Sequence, residues 1–263
     1  MQWGFPLDDS TNRPRGNAID SKGSWAVQGG PNAKSLCCCV TLRGYDRCMT
    51  QLRALVVDWG GVLTGSVDSG IQKFLDGETF DLQAYSQVMG RWFGEIGRIE
   101  ARLNPIHALE RGEMSAPDFE ERLAREMGEI TGTHYDPAGL IERMFRHFDH
   151  AHEMYALVRR AHEQGIATAL LSNSWGNEYP REMWSDMFDV VVISGEVGLR
   201  KPEPEIFELT LTRLGLRADQ CVFVDDLRHN VDAAVELGWV GVHHRTYTET
   251  AGELEALFGL PLA

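Results

Sequence analysis

The chain has 263 residues, which is enough for one α/β domain with an insertion and a substantial buried core. Its formal net charge of −14 argues against the basic surface that nucleic-acid binding needs, so we expect no nucleic-acid partner. No apolar run approaches the ~20 residues that cross a bilayer, and the N-terminus lacks a secretory pattern, so we expect no membrane partner and a cytoplasmic location.

Residues 1–48 are rich in Gly, Asn, Ser, Pro and Arg and show no sustained periodicity, which predicts a disordered extension. An alternative is that translation begins at Met49, directly before the first strand. Four of the five cysteines lie in this stretch, in a spacing that matches no zinc motif. The fifth, Cys221, is expected to be a small buried hydrophobic residue in a strand.

From residue 52 onward, short apolar runs predict buried parallel strands at 52–58, 166–171, 190–193, 221–224 and 239–243. Helical patterns lie between them at 155–163, 204–214 and 230–237. This alternation predicts an α/β fold with a Rossmann-like, doubly wound parallel sheet.

Residues 66–150, called the helical insert below, contain amphipathic helical patterns and no strand-like run. Ser115 is expected to cap a helix that has Pro117 in its first turn. An insertion after the first strand lies over the carboxyl ends of the strands, where ligands bind. We therefore predict a helical cap domain at 66–150 and a core domain made of 49–65 and 151–263.

Polar signals follow four of the predicted strands. They are Asp58-Trp59-Gly60-Gly61, Ser172-Asn173, Lys201-Pro202 and Asp225-Asp226, the last with Asn230 nearby. Clustered carboxylates repel one another and need a counter-charge, which Mg²⁺ and a lysine supply. A hydroxyl and an amide add hydrogen bonds, so the set favours stabilisation of a transferring phosphoryl group.

These four motifs resemble those of the haloacid dehalogenase superfamily over about residues 52–245. The run from Ser194 to Phe207, with its Arg200-Lys201-Pro202, is similar to the branch that contains the phosphatase domain of soluble epoxide hydrolases. That branch carries a helical cap between its first two motifs, in agreement with the helical insert.

The resemblance implies a magnesium-dependent hydrolase of a small phosphorylated metabolite, with Asp58 as the nucleophile that forms an aspartyl-phosphate. It implies that Asp58, Asp226 and the Gly60 carbonyl bind Mg²⁺, with Asp225 as a ligand or directly behind one. Ser172, with Asn173, would hold a phosphoryl oxygen. Lys201 would neutralise nucleophile and phosphate, and Asn230 would orient the acidic pair.

The sequence departs from the family at Gly60, where a second aspartate usually protonates the leaving oxygen and activates water. Loss of such general acid–base help costs ~10²–10⁴-fold in rate. We therefore expect a slow phosphatase, or one that acts on substrates with a good leaving group.

Three alternatives stay open at this point. One is a catalytically degenerate binding or regulatory protein. Another is a dehalogenase, against which Asp225-Asp226 argues. The third is a phosphonatase type, which needs a Schiff-base lysine, whereas the helical insert offers only Lys73, soon after Asp58.

Aromatic and histidine residues outside these motifs have simpler expected roles. His147 and His150, which with His152 resemble a metal cluster, are expected on a polar helix surface, since no Cys and no further His at finger spacing completes a site. Tyr85 and Trp92 are expected to pack the core of the helical insert, and Trp175 is a candidate for substrate contact.

Overall fold

The computed structural model describes residues 51–77, 81–94, 104–184 and 186–263. The predicted extension at 1–48 lies outside the described residues. Within the described part, no helix combines the length and apolar character needed to cross a membrane.

The described residues form one five-stranded sheet whose neighbouring strands are all parallel, in the order β3-β2-β1-β4-β5. The strands are β1 (Ala54–Val57), β2 (Ala167–Ser172), β3 (Val190–Ile193), β4 (Cys221–Asp225) and β5 (Val240–His243). The predicted parallel sheet is thus confirmed, with strand ends within two residues of those expected. Because β1 is central, its carboxyl end is flanked by the ends of β2 and β4.

Ten helices are described along the chain. They are α1 (Val67–Gly77), α2 (Leu82–Gly94), α3 (Pro105–Glu110), α4 (Ala116–Thr131), α5 (Leu140–Phe145), α6 (His152–Glu163), α7 (Ser194–Val197), α8 (Pro204–Leu214), α9 (Arg228–Glu236) and α10 (Tyr247–Phe258). The helices expected at 155–163, 204–214 and 230–237 are confirmed as α6, α8 and α9.

Successive strand side chains enter two apolar cores on opposite faces of the sheet, as the two-residue period of a strand requires. In β1, Leu55 and Val57 join the core that α6 and α10 cover, whereas Ala54 and Val56 join the core that α8 and α9 cover. Helices on both faces explain why the strands are mostly apolar, and why β1 and β3 are wholly so.

Cys221, at the start of β4, is fully buried in the second of these cores, as expected. Burial, with the nearby Asp219 carboxylate, raises the pKa of its thiol to about 12. The thiolate form needed for reaction is therefore scarce at neutral pH.

Helices α1 to α5 belong to the helical insert and pack around an apolar core of their own. Tyr85 and Trp92 lie in this core, as predicted. Ser115 caps α4 by accepting a hydrogen bond from the Asp118 backbone N–H, which is also as predicted. The division of the chain into core and cap domains at 65/66 and 150/151 stays a prediction.

The prediction that His147 and His150 share a helix surface is wrong. Helix α5 ends at Phe145, and the following residues turn back toward the end of β1. There His150 forms an antiparallel bridge with Thr64, and Gly65 N–H donates to the Asp149 carbonyl at 2.7 Å. These backbone hydrogen bonds join the two ends of the helical insert, and they form in place of the expected helical turn.

Candidate active site

Asp58 directly follows β1 and is 7% exposed. Its backbone N–H donates to the Val224 carbonyl of β4 at 2.9 Å, which continues the sheet pairing by one residue. Its carboxylate Oδ1 accepts from the Trp59 backbone N–H at 2.7 Å. The side chain is thereby fixed at the carboxyl edge of the sheet, where the sequence motif predicts it.

Three carboxylates meet at this edge. Asp58, Asp225 and Asp226 each present an oxygen within 4.8 Å of the other two. The strand register brings these residues together. Val57 of β1 pairs with Val224 of β4, so Asp58 and Asp225, which follow them, lie side by side. The structure thus brings together the acidic residues that the sequence places at two separate strand ends.

Lys201 supplies the positive charge beside this cluster and is fully buried. Its Nζ lies 2.9 Å from Oδ1 of Asp58 and 2.6 Å from Oδ2 of Asp225. The ammonium also lies 5.4 Å from the ring centre of Phe223, which adds a cation–π contact. One lysine therefore bridges two of the three carboxylates.

Asn173 fixes the backbone of Lys201. Its Oδ1 accepts from the Lys201 N–H at 2.8 Å, and its Nδ2 donates to the Lys201 carbonyl at 3.0 Å. Both polar groups of this amide are therefore engaged by the peptide groups of Lys201. A direct contact of Asn173 with phosphate stays a prediction, and the structure gives the residue a positioning contact that the sequence did not reveal.

Asn230, on α9, holds Asp225. Its Nδ2 donates to both carboxylate oxygens at 3.1 Å, and the Leu227 backbone N–H donates to Oδ1 at 2.8 Å. The contact is with Asp225, one member of the acidic pair that Asn230 is expected to orient. The Oδ1 of Asn230 is buried and has no hydrogen-bond partner among the described residues.

The close packing of these buried groups shifts their pKa values. Burial, and then repulsion from Asp58 and Asp225, raises the pKa of Asp226 to about 8. Burial likewise raises the pKa of Asp58 above its usual value, although Lys201 opposes that rise. Burial alone would lower the pKa of Lys201, but the carboxylates of Asp225 and Asp58 outweigh it and raise that pKa.

Two adjacent glycines in the loop after β1 differ in the space around them. Gly61 has φ +70°, and a Cβ there would lie 2.2 Å from Oδ2 of Asp226, so only glycine lets that carboxylate approach the loop. A Cβ on Gly60 would meet only the Val67 side chain, at 3.8 Å. The position where the family usually has an acid therefore has room for a side chain.

Ser172 is the last residue of β2 and is 1% exposed. Its Oγ lies 3.0 Å from the phenol oxygen of Tyr179, a residue that sequence reasoning missed. Tyr179 lies in an irregular loop between β2 and a short 3₁₀ turn at Arg181–Trp184, so no periodic pattern could have identified it.

The helical insert contacts the segment of the chain that contains Lys201. Glu110, at the end of α3, is buried and accepts from Arg200 Nε at 2.5 Å, and its backbone carbonyl accepts from the Ser194 hydroxyl at 2.5 Å. Arg111 pairs with Glu203 at 2.8 Å. Sequence reasoning did not single out these residues, because the pairs join segments about 90 positions apart.

Trp175, predicted as a candidate for substrate contact, packs against Phe119 with ring centres 5.7 Å apart. It joins the edge of the apolar core of the helical insert and lines a small cavity there with Phe74 and Leu123. Its position two residues beyond Asn173 links the Ser-Asn motif to the helical insert. A contact with substrate stays a prediction.

The donor set fits a magnesium ion. Mg²⁺ prefers carboxylate oxygens and binds through one or two of them while it keeps waters. The cluster has three carboxylates against one ammonium, and burial together with repulsion between the carboxylates raises the pKa values of Asp58 and Asp226. A divalent cation would supply the missing charge.

Comparison with known families agrees with this arrangement. A family model for haloacid dehalogenase-like hydrolases matches residues 52–238. A sesquiterpene phosphatase, astK, of Aspergillus oryzae is 32% identical over 219 residues, which cover 80% of this chain and 98% of that protein.

Two larger proteins match over part of their length. Acyl-CoA dehydrogenase family member 10 of mouse is 30% identical over 223 residues, which are 80% of this chain but 19% of the mouse protein. Bifunctional epoxide hydrolase 2 of rat is 30% identical over 105 residues, which are 37% of this chain and 19% of the rat protein. The matched stretch thus spans about a fifth of either relative.

A solved structure of a Bacteroides thetaiotaomicron HAD family enzyme, in complex with magnesium and inorganic phosphate, has the same fold. Its TM-score is 0.52 at 21% identity, over 74% of this chain and 94% of that one. With the family match over residues 52–238 and the Aspergillus relative, the strand-end motifs of Asp58, Ser172, Lys201 and Asp225-Asp226 lead to one conclusion: the chain belongs to the haloacid dehalogenase-like hydrolases.

Proposed function

We propose that the protein is a magnesium-dependent phosphatase that acts on a small phosphorylated metabolite through an aspartyl-phosphate on Asp58. The observation that carries this proposal is the buried Lys201 ammonium, within 2.9 Å of Asp58 and 2.6 Å of Asp225, beside the third carboxylate of Asp226. Such a site has a nucleophile, a fixed cation and a surplus of acidic ligands in one place.

In the first step, a carboxylate oxygen of Asp58 attacks phosphorus and the bond from phosphorus to the leaving oxygen breaks. Lys201 lowers the charge repulsion between that carboxylate and the phosphate dianion, and the Ser172 hydroxyl holds a phosphoryl oxygen. In the second step, water attacks the phosphorus of the aspartyl-phosphate, which releases inorganic phosphate and restores Asp58.

Asp58, Asp226 and the Gly60 carbonyl would hold Mg²⁺, with Asp225 beside them. When bound, the ion supplies positive charge for the phosphoryl oxygens. Asn230 keeps Asp225 in place through both of its oxygens, and Asn173 keeps Lys201 in place through its backbone.

Residue 60 provides no acidic group that could protonate the leaving oxygen. Because glycine has no proton to give there, the leaving oxygen must take its proton from water or leave as a stable anion. Substrates with good leaving groups, such as acyl or aryl phosphates, are therefore expected to turn over faster than alkyl monoesters.

The helical insert bears on the choice of substrate. Its core is apolar and reaches Trp175, next to the Ser-Asn motif. One relative with nearly full coverage is named a sesquiterpene phosphatase. A substrate panel should therefore include phosphates of apolar alcohols beside sugar, amino-acid and acyl phosphates.

The decisive measurement is phosphate release from para-nitrophenyl phosphate and this panel, with Mg²⁺ and with EDTA, for chains that start at Met1 and at Met49. We expect turnover only with Mg²⁺ and none in the Asp58→Asn variant. Magnesium binding without release of phosphate from any substrate would instead identify a non-catalytic member of the family.

A further inference from the structure

Tyr179 lies inside the site without a part in the chemistry described so far. Its ring packs edge-on against Trp59, with ring centres 5.0 Å apart, and lies 5.6 Å from the ring of Trp184. Trp59 directly follows Asp58, and both tryptophans are 5% exposed. The phenol is thus held by the residue next to the nucleophile.

The phenol oxygen lies 3.0 Å from Oγ of Ser172, and either oxygen can be the donor. The other contact of the Ser172 hydroxyl is a long one, 3.4 Å to the Asn173 carbonyl. The choice of donor decides what Ser172 can do, because a serine hydroxyl has one proton. If Ser172 donates to Tyr179, it has none for a phosphoryl oxygen.

The surroundings favour Tyr179 as the donor. Burial raises the pKa of its phenol to about 12, although hydrogen bonding with Ser172 and Ser174 opposes the rise, so the phenol keeps its proton at neutral pH. An anionic phosphoryl group accepts hydrogen bonds and gives none. With phosphate present, the arrangement that satisfies all three groups runs from Tyr179 to Ser172 to the phosphoryl oxygen.

We propose that Tyr179 is a positioning residue for phosphoryl transfer: its O–H donates to Oγ of Ser172 and so turns the Ser172 proton toward the phosphoryl oxygen. This proposal rests on the proposed phosphatase function. It requires no proton transfer, since both hydroxyl groups keep their protons throughout. The effect of Tyr179 passes entirely through Ser172.

A double-mutant cycle tests that dependence. Tyr179→Phe keeps the ring and removes only the hydroxyl, and Ser172→Ala removes the acceptor. We expect Tyr179→Phe to lower kcat/KM about 5- to 10-fold, as for the loss of one hydrogen bond. In the Ser172→Ala background, the same change should cost less than about twofold.

Orthovanadate affinity, followed by thermal shift, supplies a second readout that needs no turnover, since vanadate imitates the transferring phosphoryl group. We expect Tyr179→Phe to weaken vanadate binding by a similar factor, again only when Ser172 is present. Tyr247→Phe is the matched control, because the Tyr247 hydroxyl makes a single long contact among the described residues, 3.5 Å to Arg160. It should leave both readouts unchanged.

Equal losses from Tyr179→Phe in the two backgrounds would overturn the proposal, because Tyr179 would then act independently of Ser172 or through the fold. Coupling to Ser174→Ala in place of Ser172→Ala would also overturn it. A wild-type chain that neither turns over phosphate esters nor binds vanadate would refute the phosphatase proposal itself. If only turnover is absent, the cycle is read from vanadate affinity.

Discussion

The strand-end site and the helical insert differ in how many charged groups they bury close together. At the strand ends, Lys201 is fully buried among carboxylates. In the helical insert, the core is apolar, the buried Glu110 pairs with Arg200 outside the insert, and the ion pair of Lys73 with Asp149 lies at the surface, with side chains 50% and 77% exposed. Burying charge is costly unless it is paired, and its concentration at one edge of the sheet is the reason why we place the proposed chemistry there.

The largest difference between the two regions is expected from a substitution of Asp58, the proposed nucleophile. Asp58→Asn should lower kcat by about 10⁴-fold or more, because an amide cannot form the aspartyl-phosphate. Asp68→Asn, an exposed position on α1 in the helical insert, is the matched control and should retain full turnover. The measurement is phosphate release with Mg²⁺, and turnover in Asp58→Asn would refute the covalent route.

The second test compares how substitution of two lysines changes the free energy of unfolding. Lys201→Met should lower the free energy of unfolding by about 3–5 kcal/mol, because the carboxylates of Asp58 and Asp225 lose their buried partner. Lys73→Met should change it little, since its partner is solvated. Urea unfolding in EDTA measures both, and equal effects would remove the contrast between the regions.

The third test restores the missing acid. Gly60→Asp should raise kcat on an alkyl phosphate by about 10²-fold, because Gly60 has room for a side chain and the new carboxyl group can protonate the leaving oxygen. Gly60→Asn has the same shape and no acid, so it should give no gain. If the two variants behave alike, the absence of an acid at residue 60 does not limit turnover.

A smaller effect is expected from pH. In the metal-free chain the pKa values of Asp58 and Asp226 lie above those of the unfolded chain. The folded state therefore binds more protons between about pH 4 and pH 8, and its stability falls as pH rises through that window. Thermal unfolding in EDTA from pH 5.5 to 8.5 should show this decline, and Asp226→Asn should make it shallower. A flat profile for the parent chain would contradict the raised pKa values.

Much of the parallel sheet could be predicted from sequence, because continuous apolar runs indicate buried parallel strands. The polar residues at the ends of these strands are then expected at one edge of the sheet. The sequence places Asp58 and Asp225 at strand ends of one sheet, whereas the pairing of β1 with β4 that makes them neighbours comes from the structure. The contacts of Tyr179 and Glu110 were not predictable, since they depend on the path of a loop and on how α3 packs. His147 and His150 were misassigned because backbone bonds to Thr64 and Gly65 override the local helical spacing.

The buried, unreactive thiol of Cys221 has a practical consequence. All other cysteines precede Met49, so a chain that starts there carries this single sulfhydryl group, enclosed between sheet and helices. A cysteine introduced on an exposed face of α4 would then be the sole site for a spectroscopic label. Its signal would report on the helical insert alone as substrate enters and product departs.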